Sequence, residues 1–225
     1  MKPHQLTATA ERTAKILFEI KAVNFNAEKP FILTSGSASP VYIDCRKLIS
    51  FPRARRAIIA MLAETVMNSA GHEAFDAIAG GETAGISYAA WMSDAFDLPM
   101  LYVRKQPKGF GRMAQIEGDL REGQRVLLVE DLQSQGTSKI KFVEALRQAG
   151  AVVEHIAVVF HYDIFAASDD TMQKLGVKLH ALCTWRDALA VARANNYFDA
   201  GTLDEVEKFL NAPEAWSKAH GGKAA

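Results

Sequence analysis

Cysteine is nearly absent: Cys45 and Cys183 are the only two in 225 residues, far apart and without CxxC spacing. That leaves no basis for a disulfide framework or a zinc cluster, and two free core thiols in a reducing compartment are expected. Net charge is missing too. Lys plus Arg and Asp plus Glu both number 26, so nothing steers the whole chain toward nucleic acid or an anionic membrane. No window approaches the roughly 18 consecutive apolar residues of a membrane span, and Met1 to Ala10 lacks the apolar centre of a signal peptide. A cytoplasmic protein with neither membrane nor nucleic acid as partner is the expectation. Three catalytic signatures are also lacking: GxxxxGK followed by Ser or Thr, GxGxxG, and GxSxG. The common triphosphate, dinucleotide and serine-nucleophile readings lose support. The six histidines (His4, His72, His155, His161, His180 and His220) show no ligand spacing, so no metal held by the protein itself is expected.

What is present is hydrophobic patterning. Hydrophobic residues make up 49% of the chain, enough for a sizeable core. Ile16, Leu17, Ile20 and Val23 recur at helical spacing and predict a first helix over about Thr7 to Asn24. Two strand-like pieces flank the small-residue turn Ser35–Ser39, and Phe51-Pro52 opens a helix whose buried face is Ile58, Ile59, Leu62 and Val66, closed by Gly71. Short apolar runs then alternate with helical segments: Asp76–Ala79, a helix over about Ile86–Phe96, Pro99–Val103, Val126–Val129, a helix over Lys139–Gln148, Val152–Phe160 and Val177–Leu182. Thr202 with Glu205 reads as a capping box for a last helix through Leu210, and the tail after Pro213 as a fraying end. Alternation of this kind predicts one α/β domain with a mostly parallel central sheet and helices on both faces. Residues of about 1–50 form an N-terminal helix/strand hood, about 72–182 the core sheet, and about 184–212 the C-terminal helices.

Three loops carry candidate chemistry. In Arg125–Ser138 an apolar run leads into adjacent carboxylates, Glu130 and Asp131, and then into Leu132-Gln133-Ser134-Gln135-Gly136-Thr137-Ser138. Carboxylates at the carboxyl end of a buried strand stand where open α/β sheets bind ligands. The following loop opens a helix, so its amides and hydroxyls suit an anion. Together they suit a ribose phosphate. Gly80–Gly85, with Gly81, Glu82, Thr83 and Ala84, is a second strand-to-helix turn, which a parallel sheet can bring beside the first. Arg104, Lys105, Lys108 and Arg112 put four cations in nine residues with no acid among them, interleaved with Gly109 and Gly111. This suits a lid over a polyanion. A second basic group, Arg46, Lys47, Arg53, Arg55 and Arg56, has no interleaved aromatics and suits surface or dimer contact.

Val126–Ser138 resembles the phosphoribosyl-pyrophosphate signature of the type I phosphoribosyltransferases. Three further segments resemble the orotate branch of that family: Phe31–Gly36 with Ser39-Pro40, Arg104–Gly111, and Gln115–Gly118. The resemblance spans about Phe31 to Phe160 and implies the type I fold, phosphoribosyl pyrophosphate and orotate as substrates, and a homodimer sharing loop 104–112 across its interface. It implies Mg2+ riding on the substrate's pyrophosphate and ribose. Glu130 and Asp131 would take the ribose hydroxyls, Gln133–Ser138 (with Leu132 leading in) the 5′-phosphate, and Gly81–Ala84 the pyrophosphate. Ser134 would also approach the base. Arg104, Lys105 and Lys108, with Phe110 in the loop, would serve the departing pyrophosphate, and Thr34, Val41 and Tyr42 the base. The sequence departs from the pattern at four places: many members carry lysine where Thr34 and Ala84 stand, histidine or tyrosine where Phe110 stands, and arginine where Ile164 stands. Another base as acceptor, or a non-catalytic sensor of phosphoribosyl pyrophosphate, are the alternatives. Retention of Lys105 and Lys108 speaks against the sensor.

Overall fold

A computed structural model describes residues 5–33, 35–109, 111 and 115–222 of the protein. In chain order the elements are α1 (Ala8–Glu19), β1 (Val23–Phe25), β2 (Phe31–Ile32), β3 (Ala38–Ser39), β4 (Val41–Ile43), a 3-10 helix (Cys45–Ser50), α2 (Pro52–Ala70), β5 (Ala77–Gly81) and α3 (Ala84–Phe96). There follow β6 (Met100–Val103), β7 (Ile116–Glu117), β8 (Arg125–Gln133), α4 (Thr137–Gln148), β9 (Val152–His161) and α5 (Ala166–Leu175). The last are β10 (Lys178–Thr184), α6 (Trp185–Ala194), α7 (Ala200–Asn211) and α8 (Pro213–Ala219). The chain divides into two compact units: 1–51 with 183–225, and 52–182.

The 52–182 unit is organised by a six-stranded sheet of order β10-β9-β8-β5-β6-β7. β8 runs parallel to β5 and β9, β5 parallel to β6, and only the short β7 is antiparallel to its neighbour β6 among the pairs whose direction is defined. This is the α/β class that the alternating runs predict. The register explains why the strands are apolar on both faces. Ala77 lies opposite Val126, and Ala79 lies between Leu128 and Leu101, so these residues share one face. That face packs on Phe142, Val143 and Leu146 of α4 and Met172 of α5. Ile78 and Leu127 pair on the other face. Two neighbouring glycines mark the two layers. A Cβ on Gly80 would lie 2.8 Å from Ala89 of α3, whereas one on Gly81 would lie 2.3 Å from Phe142 of α4. Each strand leucine at full burial contributes roughly 1.5–3 kcal/mol, and Leu101, Leu127 and Leu128 are all at or near that limit.

In the 1–51/183–225 unit, β1 pairs antiparallel with β4, and β2 with β3 around Gly36 at φ 87°. The first helix ends earlier than its periodicity suggests. Lys21 takes a left-handed φ of 56° and Ala22 N–H bonds back to Leu17 O, after which Val23 points inward from a strand. Its apolar position fitted the helical repeat only by coincidence of spacing. The capping residue of α7 is Asp199, not Thr202: Asp199 accepts from the Thr202 N–H and hydroxyl. Glu205 instead accepts from Trp216 Nε1 and Lys208. The capping box lies at α6, between Thr184 and Asp187. Among the described residues, the stretch after Pro213 is a helix and not a loose tail. α8 forms there because Trp216 is buried, and its ring stacks on His220 at 3.6 Å. Ser217 Oγ then accepts the Ala38 N–H of β3 at 2.9 Å. Helix α5 has no counterpart in the sequence pattern, since its run AASDDTMQKL offers only Met172 and Leu175 as large apolar residues. Cys45 and Cys183 are buried and not joined in a disulfide.

Candidate active site

The strand carrying the acid pair does not stop before it. β8 continues through Glu130, Asp131, Leu132 and Gln133, with Glu130 opposite Val158 and Gln133 opposite His161. Strand alternation therefore sends the two neighbouring carboxylates to opposite faces. Glu130 lies under the α4 layer at 6% exposure, and burial raises its pKa to about 7. Asp131 adds to the rise by its charge, while Lys139, the Gly81 N–H and Lys105 oppose it. Asp131 is half-buried and accepts the Leu132 N–H at 2.8 Å. Gln133 is fully buried, its amide donating to Ser168 Oγ at 3.1 Å, and that hydroxyl contacts His161 Nε2 at 2.9 Å. The Gln133 side chain is thus tied beneath the loop, where its Nε2 also lies 2.5 Å from the position of a Cβ on Gly136. Ser134 is half-buried, and Gln135 and Ser138 are exposed. Gly136, at φ 86°, immediately precedes α4 and offers no capping side chain, so the first amides of that helix are left for an anion.

The glycine turn meets this strand end because β5 is the direct neighbour of β8, with Gly80 opposite Val129. Contact is closer than the sequence suggests. A Cβ on Gly81 would lie 2.1 Å from Glu130 Oε1, and one on Gly85 2.4 Å from the same oxygen. Both glycines are needed for the turn to sit on the carboxylate. The Glu82–Thr83 peptide is cis. Glu82 Oε2 accepts the Lys105 N–H at 2.7 Å, tying the turn to the cationic segment.

That segment leaves β6, the other neighbour of β5. Arg104 is held at its base: the backbone N–H donates to Gln115 O at 2.8 Å, and the guanidinium lies 3.4 Å from Glu117. Lys105 and Lys108 are exposed. Lys105, Gln106 and Pro107 line a hollow of about 240 Å3 with Gln115 and with Lys141, Glu144 and Gln148 of α4. Phe110 and Arg112 lie outside the described residues, as does Thr34. In the other unit, Val41 is fully buried while Tyr42 is exposed and lies 5.5 Å from Phe31, ring to ring. The second basic group is engaged locally. Arg46 pairs with Asp44, Lys47 donates to Lys21 O, and Arg55 lies 4.5 Å over the Trp91 ring.

Sequence reasoning passed over Lys139. It is 5% exposed, donates from Nζ to Leu132 O at 2.5 Å, and stands 3.8 Å from Glu130 Oε2. A signal was there: 139, 142, 143 and 146 form the buried stripe of α4, so a charge occupies a core position. Among the described residues one set, His161, Asp163 and Asp169, brings ligand-capable atoms within 4.8 Å of one another. Two of its members are exposed acids, a common surface arrangement.

Residues 49–180 match the family described as the phosphoribosyl transferase domain. The match takes in β8, β5 and β6 with the loops that follow them. The orotate phosphoribosyltransferase of Dinoroseobacter shibae is 60% identical over 211 residues, covering 94% of this chain and 93% of that protein. Among solved structures, the orotate phosphoribosyltransferase of Aeropyrum pernix is 29% identical with a TM-score of 0.68, over 83% of this chain and 99% of that one. The Leishmania donovani UMP synthase is 31% identical with a TM-score of 0.73, over 91% of this chain and 42% of that one. The chain belongs to the orotate phosphoribosyltransferase family.

Proposed function

We propose that the chain transfers the 5-phosphoribosyl group of phosphoribosyl pyrophosphate to orotate, giving orotidine 5′-phosphate and pyrophosphate, a step of pyrimidine nucleotide synthesis. The observation that carries this is the alignment of three loops at the carboxyl ends of β8, β5 and β6, neighbours in one sheet. A ribose with phosphate at one end and pyrophosphate at the other needs such a row: amides for the 5′-phosphate, carboxylates for the hydroxyls, and a turn with cations for the pyrophosphate.

In the reaction the bond from ribose C1 to the pyrophosphate oxygen breaks, with its electron pair going to the oxygen. The new bond forms from a ring nitrogen of the base, which gives up its proton. Positive charge develops on the sugar in between. Glu130 and Asp131 hold the hydroxyls and stand near that charge, favouring it electrostatically. Gln133–Ser138 orient the 5′-phosphate. Lys105 and Lys108 stabilise the leaving group, with Arg104 fixing the base of their segment, and Gly81–Ala84 supply the turn beneath it. Ser134 serves the acceptor, and the roles of Thr34, Val41 and Tyr42 rest on the resemblance alone.

Mg2+ enters as part of the substrate. The two acids diverge to opposite faces of β8, so they would not grip the ion as a pair, and Mg2+ would be held mainly through the substrate's own pyrophosphate and ribose oxygens. Carried in this way, the ion would supply positive charge against the pyrophosphate. A homodimer with loop 104–112 shared between subunits, acting in the cytoplasm, completes the reading. Because Ile164 stands where many members carry arginine, a backbone amide or another cation reads the acceptor's carboxylate. A crystal with orotate whose carboxylate makes no contact would contradict that.

The test is an acceptor panel of orotate, uracil, hypoxanthine and adenine with phosphoribosyl pyrophosphate and Mg2+, following pyrophosphate release. Turnover with orotate is expected. Release with another base alone would overturn the acceptor, and binding without release would favour a sensor.

A further inference from the structure

Lys139 stands in the first turn of α4, where the helix dipole disfavours a cation, and on the buried stripe where the neighbouring turns carry Phe142, Val143 and Leu146. Lysine is almost never buried without a partner. Stability alone would put leucine or methionine here, and replacing a buried ion pair by well-packed apolar groups is often neutral or stabilising. The charge therefore needs another explanation.

Its surroundings supply one. The ammonium reaches back across the loop to Leu132 O at 2.5 Å and lies 3.8 Å from Glu130 Oε2. Leu132 is the residue between the acid pair and the loop proper. Glu130 Oε1, on the other side of the carboxylate, makes no hydrogen bond of sound geometry among the described residues and fills the space above Gly81 and Gly85. One cation thus joins the peptide entering the phosphate loop to an acid wedged under the glycine turn.

Building on the donor-site reading above, we propose that Lys139 is a positioning residue. Its ammonium draws the Glu130 carboxyl against the Gly81–Gly85 turn and clamps the Leu132 peptide, so the ribose and phosphate contacts are set before the donor arrives. The other groups that bear on Glu130 are Asp131 on its own strand, the Gly81 N–H from β5, and Lys105 from the segment after β6. Of the two cations, Lys105 is exposed and Lys139 buried, so Lys139 is the one that screening by solvent does not weaken.

The experiment compares full-length wild type, Lys139→Met, Lys139→Arg, Glu130→Gln and the Glu130→Gln/Lys139→Met double variant. Calorimetry measures the affinity for phosphoribosyl pyrophosphate with Mg2+, and steady-state kinetics give kcat/KM for it across pH 5–9. Methionine fits the apolar stripe, and thermal melts report folding. Lys139→Met is expected to weaken donor binding about tenfold or more, the scale of one charge-assisted contact. It should also move the acid limb of the pH profile upward, with Lys139→Arg recovering part of both. In the Glu130→Gln background, adding Lys139→Met should cost clearly less affinity than it does in wild type, the remainder belonging to the Leu132 contact. Folded Lys139→Met with wild-type affinity and an unmoved acid limb would overturn the proposal, as would full additivity in the double variant. If Lys139→Met does not fold, Lys139→Gln supplies the uncharged variant, and wild-type affinity with an unmoved acid limb there serves the same end. Wild type that fails to bind phosphoribosyl pyrophosphate at all would instead overturn the donor-site reading.

Discussion

Glu130 and Asp131 are chemically alike and adjacent, yet the pleat of β8 gives one a dry surrounding and the other a half-open one. Divergence of that kind is how neighbouring acids acquire different tasks. Asp131→Asn removes the more accessible carboxylate and is expected to weaken phosphoribosyl pyrophosphate binding about tenfold by calorimetry. Normal affinity would remove the ribose assignment. Lys108 is exposed at the tip side of the cationic segment, so Lys108→Ala should lower kcat far more than donor affinity. Unchanged turnover would end its role with the leaving group. Gly81→Ala would drive a methyl group into Glu130 and Phe142, and overpacking of this sort costs about 1–3 kcal/mol. Urea unfolding should show that loss, together with weaker donor binding. The acid pair was readable because polar residues closing an apolar run are conspicuous. Lys139 was harder to read, because between Ser138 and Lys141 it looks like an ordinary solvated helix start, and its place on the stripe of Phe142, Val143 and Leu146 is a weak signal until the tertiary packing shows it turned inward.

At the level of elements, the parallel strands were legible because burial on both faces leaves unbroken apolar runs. Their ends were displaced by up to four residues: β8 carries polar residues through its last turns of ladder, which composition alone reads as loop. Helix α5 was missed for the opposite reason, since a helix resting on the core by so few residues carries almost no periodic signal. Helix α8 was mistaken for a tail because its anchor is one tryptophan. That anchor can be measured. Trp216 is buried, donates to Glu205 at 3.0 Å, and its helix holds β3 through Ser217. Trp216→Ala should lower stability by about 3–5 kcal/mol in urea titrations. A loss below 1 kcal/mol would mean that α8 is dispensable to the 1–51/183–225 unit.

For the molecule as a whole, proton linkage sets two opposed trends. His180 is buried against His155, with ring nitrogens 2.9 Å apart, and burial lowers its pKa to about 4. The unfolded chain binds that proton near pH 6.5, so stability present above 6.5 is lost as pH falls toward 4. Glu130 runs the other way. With its pKa raised from 4.5 to about 7, it contributes stability below pH 4.5 that is lost as pH rises through 7. Between these limits the slopes oppose each other, and wild-type Tm should vary less than that of either variant. Glu130→Gln should gain on wild type as pH rises from 5 to 8, and His180→Leu as pH falls from 6.5 to 4.5. Parallel curves in scanning calorimetry would contradict both assignments. Neither trend was legible in the sequence, because it depends on which polar groups the two layers enclose.

The sheet order has one more consequence, for tether length. The cationic segment is pinned where Arg104 N–H meets Gln115 O, leaving residues 105–114 between its anchors. Doubled back on itself, a stretch of that size extends at most about 17 Å. β6 and β8 are separated only by β5, a lateral distance of about 10 Å. The span is thus sufficient for a subunit to cover its own acids, and sharing across a dimer becomes a choice of assembly rather than a necessity of reach. Mixing subunits decides between the two. Lys108→Ala combined with Asp131→Asn regains activity in heterodimers only if the segment crosses over, since one site then receives both intact parts. Continued inactivity would assign each lid to its own sheet.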